Sequence, residues 1–200
     1  DSKSMSESKC VKLAFDSLCL VSKTLTQLES GGLSIVKFGE TVKEVHPFGE
    51  QFSGEAGAKA FQWFGFQETK TDIRRLVAES IKIFERSSVF ASGDQWRLQI
   101  VISDGVCEDH ETVQRLVRRA RENKIMIVFV IIDGINSSES IMDMSQVKYV
   151  TDQNGNMQLK IDKYLDTFPF EFYVVVHDIS ELPEMLSVIL RQYFADLASS

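Results

Sequence analysis

Cysteine, proline and histidine are each present three times in the 200 residues. Cys10, Cys19 and Cys107 are odd in number and show no C-x-x-C spacing, so the chain encodes neither a disulfide framework nor a zinc site. Reduced thiols in a nuclear or cytosolic compartment fit that usage. Long hydrophobic runs are also missing. The longest, Ile125 to Ile132, is far short of the ~20 residues a membrane helix needs, and no signal-peptide pattern opens the chain, so no membrane partner is expected. Basic charge is scarce, with 22 Lys and Arg against 29 Asp and Glu and a net charge of -7. Nucleic-acid affinity rests on clustered cations, so no direct nucleic-acid contact is expected. There is no G-x-x-x-x-G-K-[ST] phosphate loop and no G-x-S-x-G elbow, which excludes a P-loop ATPase and the usual α/β-hydrolase nucleophile within these residues.

The chain does have core-forming content, 44% hydrophobic, with 26% charge for a solvated surface. That suits one domain over residues 1–200, and no repeat or linker divides it. Val11, Ala14, Phe15, Leu18, Val21, Leu25 and Leu28 recur at helical spacing before Gly31-Gly32, predicting a first helix. Leu33 to Phe38 and Lys43 to Phe48 read as a strand hairpin. Gly49 to Lys70 has no clean period and reads as loop with one helical turn at most. Ile73, Leu76, Val77, Ile81 and Phe84 restore helical spacing, then Trp96 to Ser103 reads as a strand ending at Asp104-Gly105. Val113, Leu116, Val117 and Ala120 mark another helix.

Ile125 to Ile132 is continuous enough to be a strand buried on both faces, which implies parallel sheet. Asp133 to Asp166 is irregular, with a helix and a short strand suggested by Ile141, Met144, Val147 and Tyr149 and a turn at Asn154-Gly155. Phe172 to His177 reads as a last strand. Ser180 as N-cap and Pro183 in the first turn introduce a final helix. Strands alternating with helices predict an α/β fold: a doubly wound, mostly parallel sheet flanked by helices.

Ser2, Ser4 and Ser6 stand at alternate positions before the first helix, and Asp104 ends a strand. Loops leaving the carboxyl ends of parallel strands build ligand sites, so the two segments are placed to meet there. Hydroxyls with a carboxylate form a hard-oxygen set suited to Mg²⁺, or Mn²⁺. A cation held mainly by neutral hydroxyls stays under-neutralised and attracts an outside Asp or Glu. The plainer alternatives are that the serines cap a helix and that Asp104-Gly105 is a turn.

Ser2-x-Ser4, a threonine before the middle helix, and S-D-G after an apolar strand resemble the von Willebrand factor A-type domain with its metal-ion-dependent adhesion site. That motif begins D-x-S-x-S. With Ser2 and Ser4 as its serines, its first Asp falls one residue before Asp1, and the family's first strand lies farther upstream; residues 1–200 are expected to be one A-type domain, N-terminally incomplete. The threonine maps to Thr69, with Thr71 as the substitute, and Asp104 maps directly.

Lys163 to Phe194, together with SKSMSESK and SDGVCEDHETVQRLVRRAR, more closely resembles the C-terminal A-type domain of the giant AAA ring ATPases of large-ribosomal-subunit assembly. That resemblance implies a non-enzymatic, Mg²⁺-dependent module that docks ubiquitin-like domains of WD-repeat assembly factors, a partner Glu completing the metal shell. It implies a place on the pre-60S particle with the rest of a ring-ATPase chain, in the nucleolus and nucleoplasm. Ser2, Ser4, Thr69 and Asp104 are then metal-site residues.

Phe61, Trp63, Phe64 and Phe66 precede the metal threonine and serve either the core or the rim of the site; Phe61, Trp63, Phe64 and Gly105 are the expected partner contacts. Two other readings stay open: an A-type adhesion or regulatory domain of another system, and a serine hydrolase using Ser4, His110 and Asp104. Arg115, Arg118, Arg119 and Arg121 read as a solvated helix face. The insertion Asp133 to Asp166 is expected to contact the partner or the rest of the machine.

Overall fold

Every residue from Ile125 to Ile132 is buried, and the fold is organised around that run. The computed structural model describes residues 8–27, 32–65, 68, 70–87, 95–133, 140–151 and 157–198. In chain order these form α1 (Ser8–Gln27), β1 (Ile35–Phe38), β2 (Val42–His46), α2 (Gly54–Phe61), α3 (Ile73–Arg86), β3 (Arg97–Ser103), α4 (His110–Glu122), β4 (Ile125–Ile132), β5 (Ser145–Thr151), β6 (Met157–Lys163), a 3-10 turn (Tyr164–Thr167), β7 (Phe172–Val176), a second 3-10 turn (Ile179–Glu181) and α5 (Leu182–Ala198).

β3, β4 and β7 make a parallel sheet with β4 central. Alternation along β4 sends Ile125, Ile127, Phe129 and Ile131 into a cluster with Leu76, Val77, Ile81 and Phe84 of α3 and Val113 and Ala120 of α4. Met126, Val128, Val130 and Ile132 belong to clusters on the other face, with Ala14 and Val21 of α1 and Leu182 and Ile189 of α5. Helices cover both faces, the doubly wound arrangement expected of a continuously apolar parallel strand. Phe129 is fully buried, its ring 5.3 Å from Phe168 and 4.7 Å from Phe170.

β1 and β2 form the expected antiparallel hairpin with shorter bounds, Phe38 opposite Val42. Three expectations are corrected. Residues 49–70 hold a full helix, α2, where at most one turn was expected. Ser53 caps it by accepting from the Ala56 amide at 3.2 Å, and its inner face is Gly57 and Ala60, too small to register as an apolar period. Residues 133–166 hold the expected short strand around Val147 and Tyr149, but as one arm of an antiparallel hairpin, β5 and β6, with Val147 opposite Ile161 and Tyr149 opposite Leu159, and residues 141–143 form a turn where a helix was expected. The period of two in Met157, Leu159 and Ile161 is the signal that the polar residues between them hid. Ser180 is not an N-cap; Asp178 caps the 3-10 turn, accepting from the Ser180 amide at 2.9 Å, and Glu181 completes a capping box before α5. Leu28, Gly31, Phe66 and Asn154-Gly155 lie outside the described residues.

Between β1 and β3 runs an apolar cleft of about 450 Å³. One wall is β1 with Ile35, Val36 and Phe38, the other is β3, and Ala14, Phe15, Leu18 and Val21 of α1 with Leu76 and Phe84 of α3 line it above and below. Among the described residues β1 pairs with β2 and β3 with β4, so the cleft separates two sheets that face each other edge to edge.

Candidate metal centre

Because β3, β4 and β7 are parallel, the residues that follow them share one edge of the sheet. Asp104 follows β3, Asp133 follows β4 and His177 follows β7. Asp104 is half-buried, and its Oδ1 accepts from Ser103 Oγ and from the Val106 amide, each at 3.2 Å, which fixes the carboxylate plane. Gly105 is buried with φ +80, and a Cβ there would lie 2.7 Å from Ile141 Cδ1 and 3.0 Å from Ile131 Cγ2. The S-D-G glycine is required by both backbone conformation and space.

The loop before α3 comes to the same end. Asp72 caps α3 by accepting from the Arg75 amide at 3.0 Å, and its own amide donates to the Gly39 carbonyl at 3.0 Å. Glu68 accepts from the Glu40 amide at 2.5 Å and pairs with Lys37 at 3.2 Å. These contacts pin the stretch around Thr71, which is half-buried, to the β1–β2 turn. Arg74 then reaches Asp109, the N-cap of α4, at 3.6 Å, joining the loop that carries Thr71 to the loop that carries Asp104.

Ser2, Ser4 and Thr69 lie outside the described residues. Phe61 and Phe64 set their rings edge-on to Phe15 of α1 at 5.4 and 6.1 Å, whereas Trp63 is 50% exposed with the Lys43 ammonium 3.2 Å from its ring centroid. His110 turns Nδ1 toward Thr167 Oγ1 at 3.3 Å and sets its ring edge-on to Tyr164. Arg115, Arg118, Arg119 and Arg121 are exposed, and Arg121 pairs with Glu171 at 2.9 Å.

Two residues of this edge escaped the sequence reading. Asp133 is buried and accepts from Ser140 Oγ at 2.6 Å; its signal was the Asp-Gly dipeptide after an apolar strand, the same as at Asp104. Tyr164 accepts from the Cys107 amide at 2.8 Å and donates to the Gly105 carbonyl at 2.9 Å, a partnership across 57 and 59 residues that has no local signal.

The donors around Asp104 and Thr71 are mainly oxygen, while the His177 imidazole at the far side of the edge turns Nδ1 toward Asp133. Burial pushes the Cys107 thiol up to about 11, so it stays protonated at neutral pH. Among the described residues no three His, Cys, Asp or Glu side chains gather around one point. An oriented Asp104 carboxylate and the Thr71 hydroxyl at the same end fit a hard divalent ion.

No family model matches the chain. The midasin of Dictyostelium discoideum is 33% identical over 202 residues, covering 100% of this chain and 3% of that protein. The midasin of Giardia intestinalis is 27% identical over 199 residues, covering 99% of this chain and 4% of that protein. Among solved structures the chain is similar to proximal thread matrix protein 1 from the mussel byssus, with a TM-score of 0.59, 14% identity and coverage of 94% of this chain and 44% of that one. It is also similar to an aerotolerance-related membrane protein from Bacteroides fragilis, with a TM-score of 0.54, 13% identity and coverage of 92% and 87%. At such identities the structural likeness shows the fold alone. This chain is homologous along its whole length to a small part of midasin, and its fold is that of a von Willebrand factor A-type domain.

Proposed function

We propose that this domain is a docking module, not an enzyme, that binds an acidic side chain of its partner through a divalent cation, Mg²⁺ or Mn²⁺. The observation that carries the reading is the oriented Asp104 carboxylate at the carboxyl edge of the parallel sheet, tied through Asp109 and Arg74 to the loop bearing Thr71. The bound cation supplies a Lewis-acidic position for a carboxylate. Asp104 contributes charge and accepts hydrogen bonds from bound water; Ser2, Ser4 and Thr69, or Thr71 in its place, contribute neutral hydroxyl oxygens. With Asp104 and the motif's upstream Asp as its few carboxylates, the set stays under-neutralised, and an incoming Glu closes it. Trp63, exposed beside the same loop, adds an apolar contact at the rim.

The midasin homology supports placing this module in a larger chain whose partners are ubiquitin-like domains of WD-repeat assembly factors on pre-60S particles in the nucleus. The A-type fold and the cleft between β1 and β3 support a further strand, supplied from upstream of Asp1, joining the two sheets into one. The test is calorimetric titration of the full-length protein with such a ubiquitin-like domain. Binding in Mg²⁺ should vanish in EDTA and in Asp104→Ala, and a partner whose acidic residues are changed to amides should fail likewise. Equal binding with and without the cation would sink the reading.

A further inference from the structure

We propose that Tyr164 is a positioning residue for the Asp104 loop, so that the root of the β5–β6 hairpin sets how well that loop accepts a divalent cation. The inference rests on the metal-dependent reading above and names the device that regulates the same site.

Residues 104–107 leave β3 with no helix or strand of their own to satisfy their backbone. The Tyr164 hydroxyl, on a side chain only 4% exposed, accepts from the Cys107 amide at 2.8 Å and donates to the Gly105 carbonyl at 2.9 Å. One hydroxyl thereby satisfies a donor and an acceptor on either side of Val106. The Val106 amide is in turn what Asp104 Oδ1 accepts from, at 3.2 Å. The carboxylate is aimed by the Gly105–Val106 peptide, whose carbonyl Tyr164 holds, and the next amide along, that of Cys107, is held by the same hydroxyl.

Ile141 supplies a second clamp, since its Cδ1 fills the space a side chain at Gly105 would take. Ile141 stands just before β5 and Tyr164 just after β6, and the Tyr164 amide donates to the Met144 carbonyl at 2.9 Å, closing the hairpin root between them. The tyrosine ring is itself held edge-on by His110, with centroids 4.9 Å apart. Tyr164 therefore acts on Asp104 through the backbone, without belonging to the oxygen set, and a hairpin far along the chain is fastened to the loop that carries the carboxylate.

Tyr164→Phe keeps the ring packing and removes the hydroxyl, leaving the Cys107 amide and the Gly105 carbonyl without it. In the full-length protein the Mg²⁺ concentration for half-maximal binding of the ubiquitin-like domain is expected to rise about 5- to 10-fold, the scale of one lost buried hydrogen bond. Hydrogen exchange at the Cys107 amide in EDTA should quicken by about tenfold, while exchange at Phe129 stays unchanged. An unaltered Mg²⁺ midpoint with a Mg²⁺-dependent wild type would overturn this inference and leave the docking reading standing. A wild type that binds equally in EDTA would overturn both. Ile141→Val, which trims the second clamp by one methylene, guards against a Tyr164→Phe variant that fails to fold, and a Mg²⁺ midpoint unmoved in Ile141→Val as well would count equally against the proposal.

Discussion

Arg74, in the first turn of α3, lies 3.6 Å from Asp109, the residue that caps α4 with its Oδ1 on the Thr112 amide at 3.2 Å. Hydrogen bonds from Thr112, with the charges of Arg74 and Arg115 adding to them, hold the Asp109 carboxyl below its ordinary range. The pair spans the gap between two loops that each carry a candidate ligand. Both side chains are more than two-fifths exposed, so the pair contributes little to stability. Arg74→Ala should leave the urea midpoint nearly unchanged and weaken Mg²⁺-dependent partner binding severalfold, read by calorimetry. A fall in stability with no change in binding would place the pair outside the site.

Gly105→Ala tests how tightly the Asp104 loop is built. The substitution forces a β-carbon at φ +80 and within 2.7 Å of Ile141 Cδ1. Backbone strain and overpacking each cost on the order of 1–3 kcal/mol, so a combined loss of about 2–4 kcal/mol is expected in urea denaturation. A neutral substitution would mean that the loop adjusts freely and that Asp104 is not held.

The aromatic cluster should divide into two behaviours. Trp63 is half exposed, whereas Phe64 sets its ring edge-on to Phe15 of α1. Trp63→Ala is expected to weaken partner binding about tenfold with an unchanged melting temperature, the pattern of an interface anchor. Phe64→Ala should lower stability by about 1–3 kcal/mol through lost packing. Dissociation constants and melting curves measured on the same samples separate the two, and an unchanged dissociation constant for Trp63→Ala removes it from the interface.

Glu68 carries a pH signature. Burial works to raise its carboxyl, but the Lys37 hydrogen bond and the Glu40 and Thr41 amides outweigh it, and the group sits below the ordinary carboxylate range. The unfolded chain then takes up the proton first, so this stabilisation is complete above the unfolded carboxyl's range and disappears as pH falls through the lower folded value. Glu68→Gln should flatten the acid limb of a stability-against-pH curve and lower stability at neutral pH by about 1 kcal/mol. An acid limb identical to wild type would show that the loop before α3 is not anchored through this carboxylate.

The architecture was legible where hydrophobic periodicity is local and strong. The run through Phe129 and the helix bearing Leu76 and Phe84 announce their faces, because one buried strand and one amphipathic helix each produce their own pattern. Asp104 and Asp133 carry the same local signal, a carboxylate before glycine at the end of an apolar strand, and that signal alone does not say which of them serves a site. α2 was hidden because its buried face is Gly57 and Ala60, and the β5–β6 hairpin because Gln158, Lys160 and Asp162 alternate with its apolar residues. Tyr164 was invisible for a different reason: its partners are backbone groups 57 and 59 residues away, and no side-chain type marks a backbone acceptor.

The cleft between β1 and β3 gives the most demanding prediction. Left unfilled, the cleft keeps apolar surface of both sheet edges in contact with water. A strand laid between the two edges would cover half-buried Val36 on one side and half-buried Ile100 and Ile102 on the other while pairing both backbones. Extending the chain upstream of Asp1 with its natural sequence should therefore raise the unfolding free energy by several kcal/mol, at about 25 cal/mol per Å² of apolar surface covered. The urea midpoint would rise, and the fluorescence of a bound apolar dye such as ANS would fall as the cleft is filled. Identical midpoints and dye binding in the extended and unextended chains would mean that the cleft closes on itself, with α1 and α3 moving together, and that the two sheets are separate.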